Sequence, residues 1–260
     1  MSDGEDDFPK LSTDTLKALQ EFYDDKAEKD RKLNEQLIDG ENPSGSFDFD
    51  EDWQLSQFWY DEDTIEVLAQ EAIHTAGPDG KIALISCPSL FPKIKALAPA
   101  GVEVVLFEYD KKFAVYGSSF VFYDYKAPLD VHRNLASKFD LVIFDPPFLS
   151  EDCLTKVSLT AKFLAKDKLI LCTGLVMEKL ANRLLAVKKC KFIPKHRNNL
   201  ANEFGCFKNY QSKLENSAIF RLIPEIKDQT ISLSDSYAMI MECTNKQTNN
   251  FQDYISSGEH

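Results

Sequence analysis

The sequence has no paired cysteines with which to staple a fold or bind a metal. Its six (Cys87, Cys153, Cys172, Cys190, Cys206, Cys243) never fall in a CxxC spacing, and the four histidines (His74, His132, His196, His260) are equally scattered. No zinc site can be read from such isolated ligands, and thiols within apolar runs read as ordinary buried free cysteines. No apolar run approaches the ~18 residues of a membrane span. The opening MSDGEDDFPK has neither the basic region nor the apolar region of a signal peptide. A reducing, cytoplasmic setting without a membrane partner is the expectation. Excess positive charge is missing too: 30 Lys plus Arg stand against 42 Asp plus Glu, a net of −12. That balance argues against general electrostatic gripping of nucleic acid or anionic lipid.

The acidity is uneven. Residues 1–52 hold 17 acids against 6 bases, a net of −11, and the rest holds 25 against 24. A nearly neutral body therefore carries an acidic front end. Leu16, Leu19, Phe22, Tyr23, Leu33 and Leu37 recur loosely at helical spacing, which predicts a helix between Thr13 and Ile38. The stretch DGENPSGSFDFDED then reads as a linker ending near Asp52. WQLSQFWY follows, and DEDTIEVLAQEAIHTAG predicts a helix with acids in its first turn and Gly77-Pro78 at its end.

From residue 81 onward short apolar runs alternate with helix-compatible stretches. KIALISC (81–87), VEVVLFEYD (102–110), FVFYDY (120–125), DLVIFD (140–145) and KLILCTG (168–174) suit buried strands. Residues 89–98, 128–138, 151–166 and 175–189 suit helices. CKFIPKH and EFGCFKNY could add two last strands as an antiparallel edge hairpin. The pattern predicts an α/β protein with a doubly wound, mainly parallel sheet.

Such sheets place ligands at the carboxyl ends of their strands, and three of those ends are acidic: Glu108 with Asp110, Asp124-Tyr125, and Asp145-Pro146-Pro147-Phe148. An acid alone at such a place also suits the capping of a following helix. The DPPF tetrapeptide is more specific. A double proline directly after a strand stops it and fixes a rigid turn, which can aim the Asp145 carboxylate and the Pro146 carbonyl at one point. Two acceptors so aimed hold an amine nitrogen on a chosen line. The aromatic ring of Phe148 suits a cationic amine or sulfonium, worth ~0.5–2 kcal/mol. That arrangement suits methyl transfer to an amine nitrogen; the other reading of DPPF is a merely structural strand-to-loop turn.

The segments SQFWYDEDT, ISCPSLFPK, FEYDKKFAVYG, FVFYDYKAPLD, DLVIFDPPFLSEDCL, LCTG and LANEFGCFKNY occur in this order within a match that runs from about Trp53 to Leu214. Together they resemble the elongation factor 1-alpha lysine methyltransferases, formerly called N-6 adenine-specific DNA methyltransferase 2-like proteins. The resemblance implies a class I methyltransferase (Rossmann-like) fold with a seven-stranded, mainly parallel sheet and an antiparallel edge strand. It also implies S-adenosylmethionine as methyl donor and a lysine of elongation factor 1-alpha as acceptor. On that footing Glu108 and Asp110 belong to the cofactor site, with Glu108 accepting from the ribose hydroxyls. Asp124 would bind the adenine amino group, with Tyr125 packing nearby. Asp145 and Pro146 would hold the substrate amine beside Pro147 and Phe148.

The turn Ser86-Cys87-Pro88-Ser89-Leu90 lacks the glycine-rich fingerprint of dinucleotide sites. Ser86, Cys87 and Pro88 are therefore expected to meet the cofactor in a different manner, and a nicotinamide dehydrogenase is disfavoured. Phe58, Trp59 and Tyr60 read either as a cover over the cofactor or as core aromatics. Residues 53–214 form the expected catalytic domain, and residues 215–260 an extension, read either as extra edge structure or as a disordered terminus. The acidic arm reads as a solubilising tail or as a dock for a basic protein. DPPF-type motifs also occur in enzymes methylating adenine, so adenine in DNA or RNA is the rival acceptor and a silent binding module the third reading. The preferred expectation is a monomer acting on elongation factor 1-alpha, without a nucleic-acid partner.

Overall fold

Ile82, Ala83, Leu84 and Ile85 have no exposed surface, as befits a strand in the middle of a covered sheet. The computed structural model describes Lys17, Gln20, Glu21, Asp24, residues 51–198 and residues 200–212. In it this strand, β1 (Lys81–Ile85), pairs in parallel with β2 (Glu103–Glu108) and with β4 (Phe139–Phe144). With β3 (Phe120–Phe122), β5 (Ala165–Gly174), β6 (Lys188–Lys189) and β7 (Phe204–Lys208) the sheet has seven strands, in the order β3-β2-β1-β4-β5-β7-β6. β7 runs antiparallel to both β5 and β6. The antiparallel strand thus stands one place in from the margin, and the two-residue β6 forms the edge.

Helix α1 (Glu62–Ala76) begins where the Asp61 carboxylate accepts the Thr64 N–H at 2.8 Å, and ends at Gly77, whose φ of +83° suits a residue without Cβ. Its buried Ile65, Leu68, Ala69 and Ala72 follow helical spacing. α1 packs on α2 (Phe91–Leu97) and on β1 and β4. α3 (Glu151–Leu164) and α4 (Glu178–Leu185) bury Leu154, Val157, Ala161 and Leu180 in one cluster with Ala83, Ile85, Phe107 and Phe144 of the sheet. Cys87, Cys153, Cys172, Cys190 and Cys206 are buried and form no disulfide among the described residues.

Two expectations need correction. Residues 128–138 form only a short 3-10 turn, Arg133–Leu135. Their backbone closes three-residue turns (Asp130 N to Ala127 O, Leu135 N to His132 O), and Val131 and Leu135 alone lean on the core. One apolar pair gives a longer helix too little to bury. The strand placed at CKFIPKH lies instead at Lys188–Lys189, and the chain after it runs irregularly toward His196, which bridges to Tyr60.

Lys17, Gln20, Glu21 and Asp24 are helical. The other residues of the helix expected between Thr13 and Ile38, the linker up to residue 50 and the extension 215–260 lie outside the described residues.

Candidate active site

The register of the parallel strands brings four residues to one level. Ser86 N donates to Phe107 O at 3.0 Å, Asp145 N to Ile85 O at 3.1 Å, and Tyr123 N to Glu108 O at 3.0 Å. The strand ends after β1, β2, β3 and β4 therefore open onto one cavity of about 660 Å³. That volume is ample for a cofactor-sized ligand. Of the residues expected at the site, Trp59, Ser86, Cys87, Pro88, Glu108, Asp124, Tyr125, Asp145, Pro146, Pro147 and Phe148 line it.

Asp110 does not line it. Its Oδ1 caps the 3-10 segment Lys111–Ser119 by accepting Lys112 N at 3.0 Å, and its Oδ2 takes Gln57 Nε2 at 3.2 Å and Lys112 Nζ at 3.0 Å. Its carboxylate is spent on holding the loop after β2 to the segment before Trp59.

Glu108 is buried at the end of β2, and its Oε1 accepts the backbone N–H groups of Tyr109 at 2.9 Å and Asp110 at 3.2 Å. Burial pushes its carboxyl up to about 7 against those two donors. Asp124 accepts Lys126 N at 2.9 Å and so shapes the turn after β3. Tyr125 lies beside Phe148, with ring centroids 5.8 Å apart.

Ser86 makes the first turn with φ +54°, in the left-handed region. This is the conformation a glycine would adopt freely, and here serine carries it. Cys87 follows, its Sγ donating to Ile143 O at 3.5 Å.

Asp145 directly follows β4 and is the last residue there to donate to the sheet, because Pro146 and Pro147 have no N–H. Ser150 then caps α3 by accepting Cys153 N at 3.2 Å. Burial pushes the Asp145 carboxyl up to about 7, and the hydrogen bond from Tyr60 opposes that rise. Two carboxyl groups poised near neutrality thus face one cavity.

Two further segments complete the walls. The segment 51–61 crosses the cavity and is stitched to residues 195–198 along its length. Asp61 N donates to Lys195 O at 3.0 Å, Arg197 N to Trp59 O at 2.8 Å, and Tyr60 pairs with His196. Trp59 and Tyr60 are buried and line the cavity, so covering the site and packing the core are one role. Lys112 Nζ sits 5.5 Å from the Trp59 ring centroid. The stretch from His196 through Leu200, Ala201 and Asn202 to Phe204 forms the wall beside β7. Sequence reasoning assigned no role to these residues or to Gln57, although LANEF and SQFWY carried the resemblance.

A family model described as "Probable N6-adenine methyltransferase" matches residues 51–212. The chain is 51% identical over 217 residues to EEF1A lysine methyltransferase 1 of Mus musculus, covering 83% of this chain and 99% of that protein. The corresponding protein of Homo sapiens is 49% identical over 218 residues, with 83% and 99% covered. Protein-lysine N-methyltransferase EFM5 of Saccharomyces cerevisiae is 35% identical over 225 residues, with 79% and 88% covered.

Proposed function

The chain belongs to the probable N6-adenine methyltransferase family, and from that premise and the cavity's chemistry we propose that it is an S-adenosylmethionine-dependent protein-lysine N-methyltransferase acting on translation elongation factor 1-alpha. The relatives named for protein-lysine methylation span nearly their whole length in this chain. The observation that carries the reading is the junction of the Asp145-Pro146 turn with Glu108 in one cavity at the carboxyl ends of β4 and β2. The sheet order is that of a class I methyltransferase. The reaction belongs in the cytoplasm, where translation runs.

The residues fit the cofactor. Glu108 has its Oε1 engaged by two backbone donors, which leaves Oε2 to the ribose diol. Asp124 faces the cavity where the adenine amino group would lie, and Ser86, Cys87 and Pro88 present the first turn to the amino-acid end. When bound, the cofactor would supply an electrophilic methyl on its sulfonium sulfur, with the thioether as leaving group.

The protein's own share is orientation. Asp145 and the Pro146 carbonyl receive the amine's hydrogens and aim its lone pair. Lysine has to shed a proton from an ammonium of pKa ~10.4 before it can attack. A carboxylate alone would hold that proton, so enclosure by Tyr125, Phe148, Tyr60 and Phe204 has to work against the charged form. The proton leaves to solvent.

The test incubates the protein with labelled S-adenosylmethionine and purified elongation factor 1-alpha, alongside DNA and RNA. Label on a lysine of the factor is expected. Label on adenine, with none on protein, would overturn the acceptor and favour the chemistry in the family's description.

A further inference from the structure

Tyr60 Oη donates to Asp145 Oδ2 at 2.5 Å, a contact that the role of covering the cofactor does not require. The phenol is held in place on every side. Tyr60 is 1% exposed, its backbone bridges to His196, and its two neighbours bond to Lys195 and Arg197. Its ring lies 5.0 Å from that of His196, which in turn rests edge-on against Phe204 at 4.6 Å. The Asp145 backbone is equally fixed, by its bond to Ile85 O and by the prolines after it. What the backbone leaves free is rotation of the carboxylate about its last torsion, which is broad for Asp. A donor on one oxygen removes that freedom.

We propose that Tyr60 is a positioning residue of the transfer reaction: its phenol pins Oδ2 of Asp145, so that Oδ1 and the Pro146 carbonyl receive the acceptor amine on one fixed line. The proposal rests on the reading that Asp145 holds the substrate amine, and adds to it a residue outside the DPPF motif. The phenol also keeps Asp145 an acceptor, because a donated hydrogen bond favours the ionised carboxylate. The titratable groups that face this pair are Cys87 after β1, Cys172 on β5, Cys153 at the start of α3 and His196 against the ring. Burial, and then the Asp145 charge, hold the Tyr60 phenol and the Cys87 thiol well above their usual ranges, so both stay protonated. Burial pushes the Cys153 thiol up to about 11 and lowers His196. Tyr60 is therefore the donor that offsets Asp145's desolvation.

The experiment compares the full-length protein with Tyr60→Phe, which keeps the ring and deletes only the hydroxyl. Turnover on purified elongation factor 1-alpha is measured from pH 6 to 9, with cofactor affinity by calorimetry and the melting temperature as controls. The expected result is a kcat lowered about tenfold to a hundredfold, as for loss of a hydrogen bond to a charged group, with KM and cofactor Kd within about threefold. The acid limb of the kcat profile moves to higher pH, because Asp145 without its donor protonates more readily. In the Asp145→Asn background, Tyr60→Phe costs little more. Wild-type kcat with an unmoved acid limb in Tyr60→Phe would overturn the proposal, as would a loss confined to cofactor affinity and melting temperature. Asp145→Asn separates the two readings. If it is inactive while Tyr60→Phe is normal, the positioning role alone fails; if Asp145→Asn turns over normally, the assignment of the amine site fails with it.

Discussion

Glu51 is joined to Asn198, whose Nδ2 donates to its Oε2 at 2.6 Å across 147 positions. Its Oε1 meanwhile accepts the Trp59 N–H at 2.8 Å. One carboxylate therefore fastens the segment over the cavity to the wall that faces it. Burial works against the charged form, but the donors Trp59, Trp53 and Asn198 outweigh it and hold the pKa below the ordinary 4.5.

Glu51→Ala is expected to loosen that fastening. Loss of the backbone hydrogen bond at about 1 kcal/mol speeds hydrogen exchange of residues 53–60 by about fivefold. Because the folded pKa is depressed, the stability Glu51 contributes is present above pH 4.5 and lost as pH falls through the lower folded value. Exchange followed by mass spectrometry at pH 7 checks the first point, and unfolding curves of both proteins at falling pH check the second.

Glu108 carries the opposite sign. Burial raises it to about 7 when folded, and unfolded it titrates near ~4.3. Its contribution to stability is thus fully present below the unfolded value and is lost as pH rises through about 7. A ribose diol needs the ionised form, so S-adenosylmethionine should bind more tightly from pH 6 to 8, by up to about tenfold per unit below the Glu108 pKa. Glu108→Gln should weaken binding about tenfold and flatten that slope. Calorimetric titration across the range decides, and an equal slope in both proteins refutes the role.

Ser86 offers a test of strain. A non-glycine residue in the left-handed region costs about 1–2 kcal/mol, so Ser86→Gly should fold with equal or higher stability. Ser86→Val, branched at Cβ, should lose more than about 1 kcal/mol. Urea unfolding of the three proteins measures the difference directly.

Phe148 is 41% exposed beside Tyr125, a large surface for an aromatic ring in an enzyme cavity unless a ligand covers it. Phe148→Ala should lower kcat/KM for the protein substrate about threefold to thirtyfold, the range of a cation–π contact. The cofactor Kd should stay within about threefold. Phe148→Tyr should remain active.

The core of the fold was legible because both-face burial leaves unbroken apolar runs, as in Ile82–Ile85 and Leu141–Phe144. The turn segment 128–138 was not, because its polar residues are compatible with a helix whose apolar face does not exist. Asp145 and Glu108 could be placed on the cavity wall because a strand end is a fixed address in such sheets. Asp110 shared that address, yet a neighbouring loop needed its carboxylate for a cap and an ion pair. The contact of Tyr60 with Asp145 spans 85 positions. No local pattern records which aromatic of Phe58, Trp59 and Tyr60 turns its polar end inward.

The bridge between Tyr60 and His196 also has a consequence for biosynthesis. The central strands of the sheet can pair as soon as β4 has emerged, but the segment over the Asp145 carboxylate waits for a partner made much later. Long-range pairing of this kind is slow to close and forms after local structure. A nascent chain halted before His196 would hold Asp145 and Glu108 in place without the stitched cover. Activity should therefore arrive abruptly, once the segment from His196 to β7 has been synthesised.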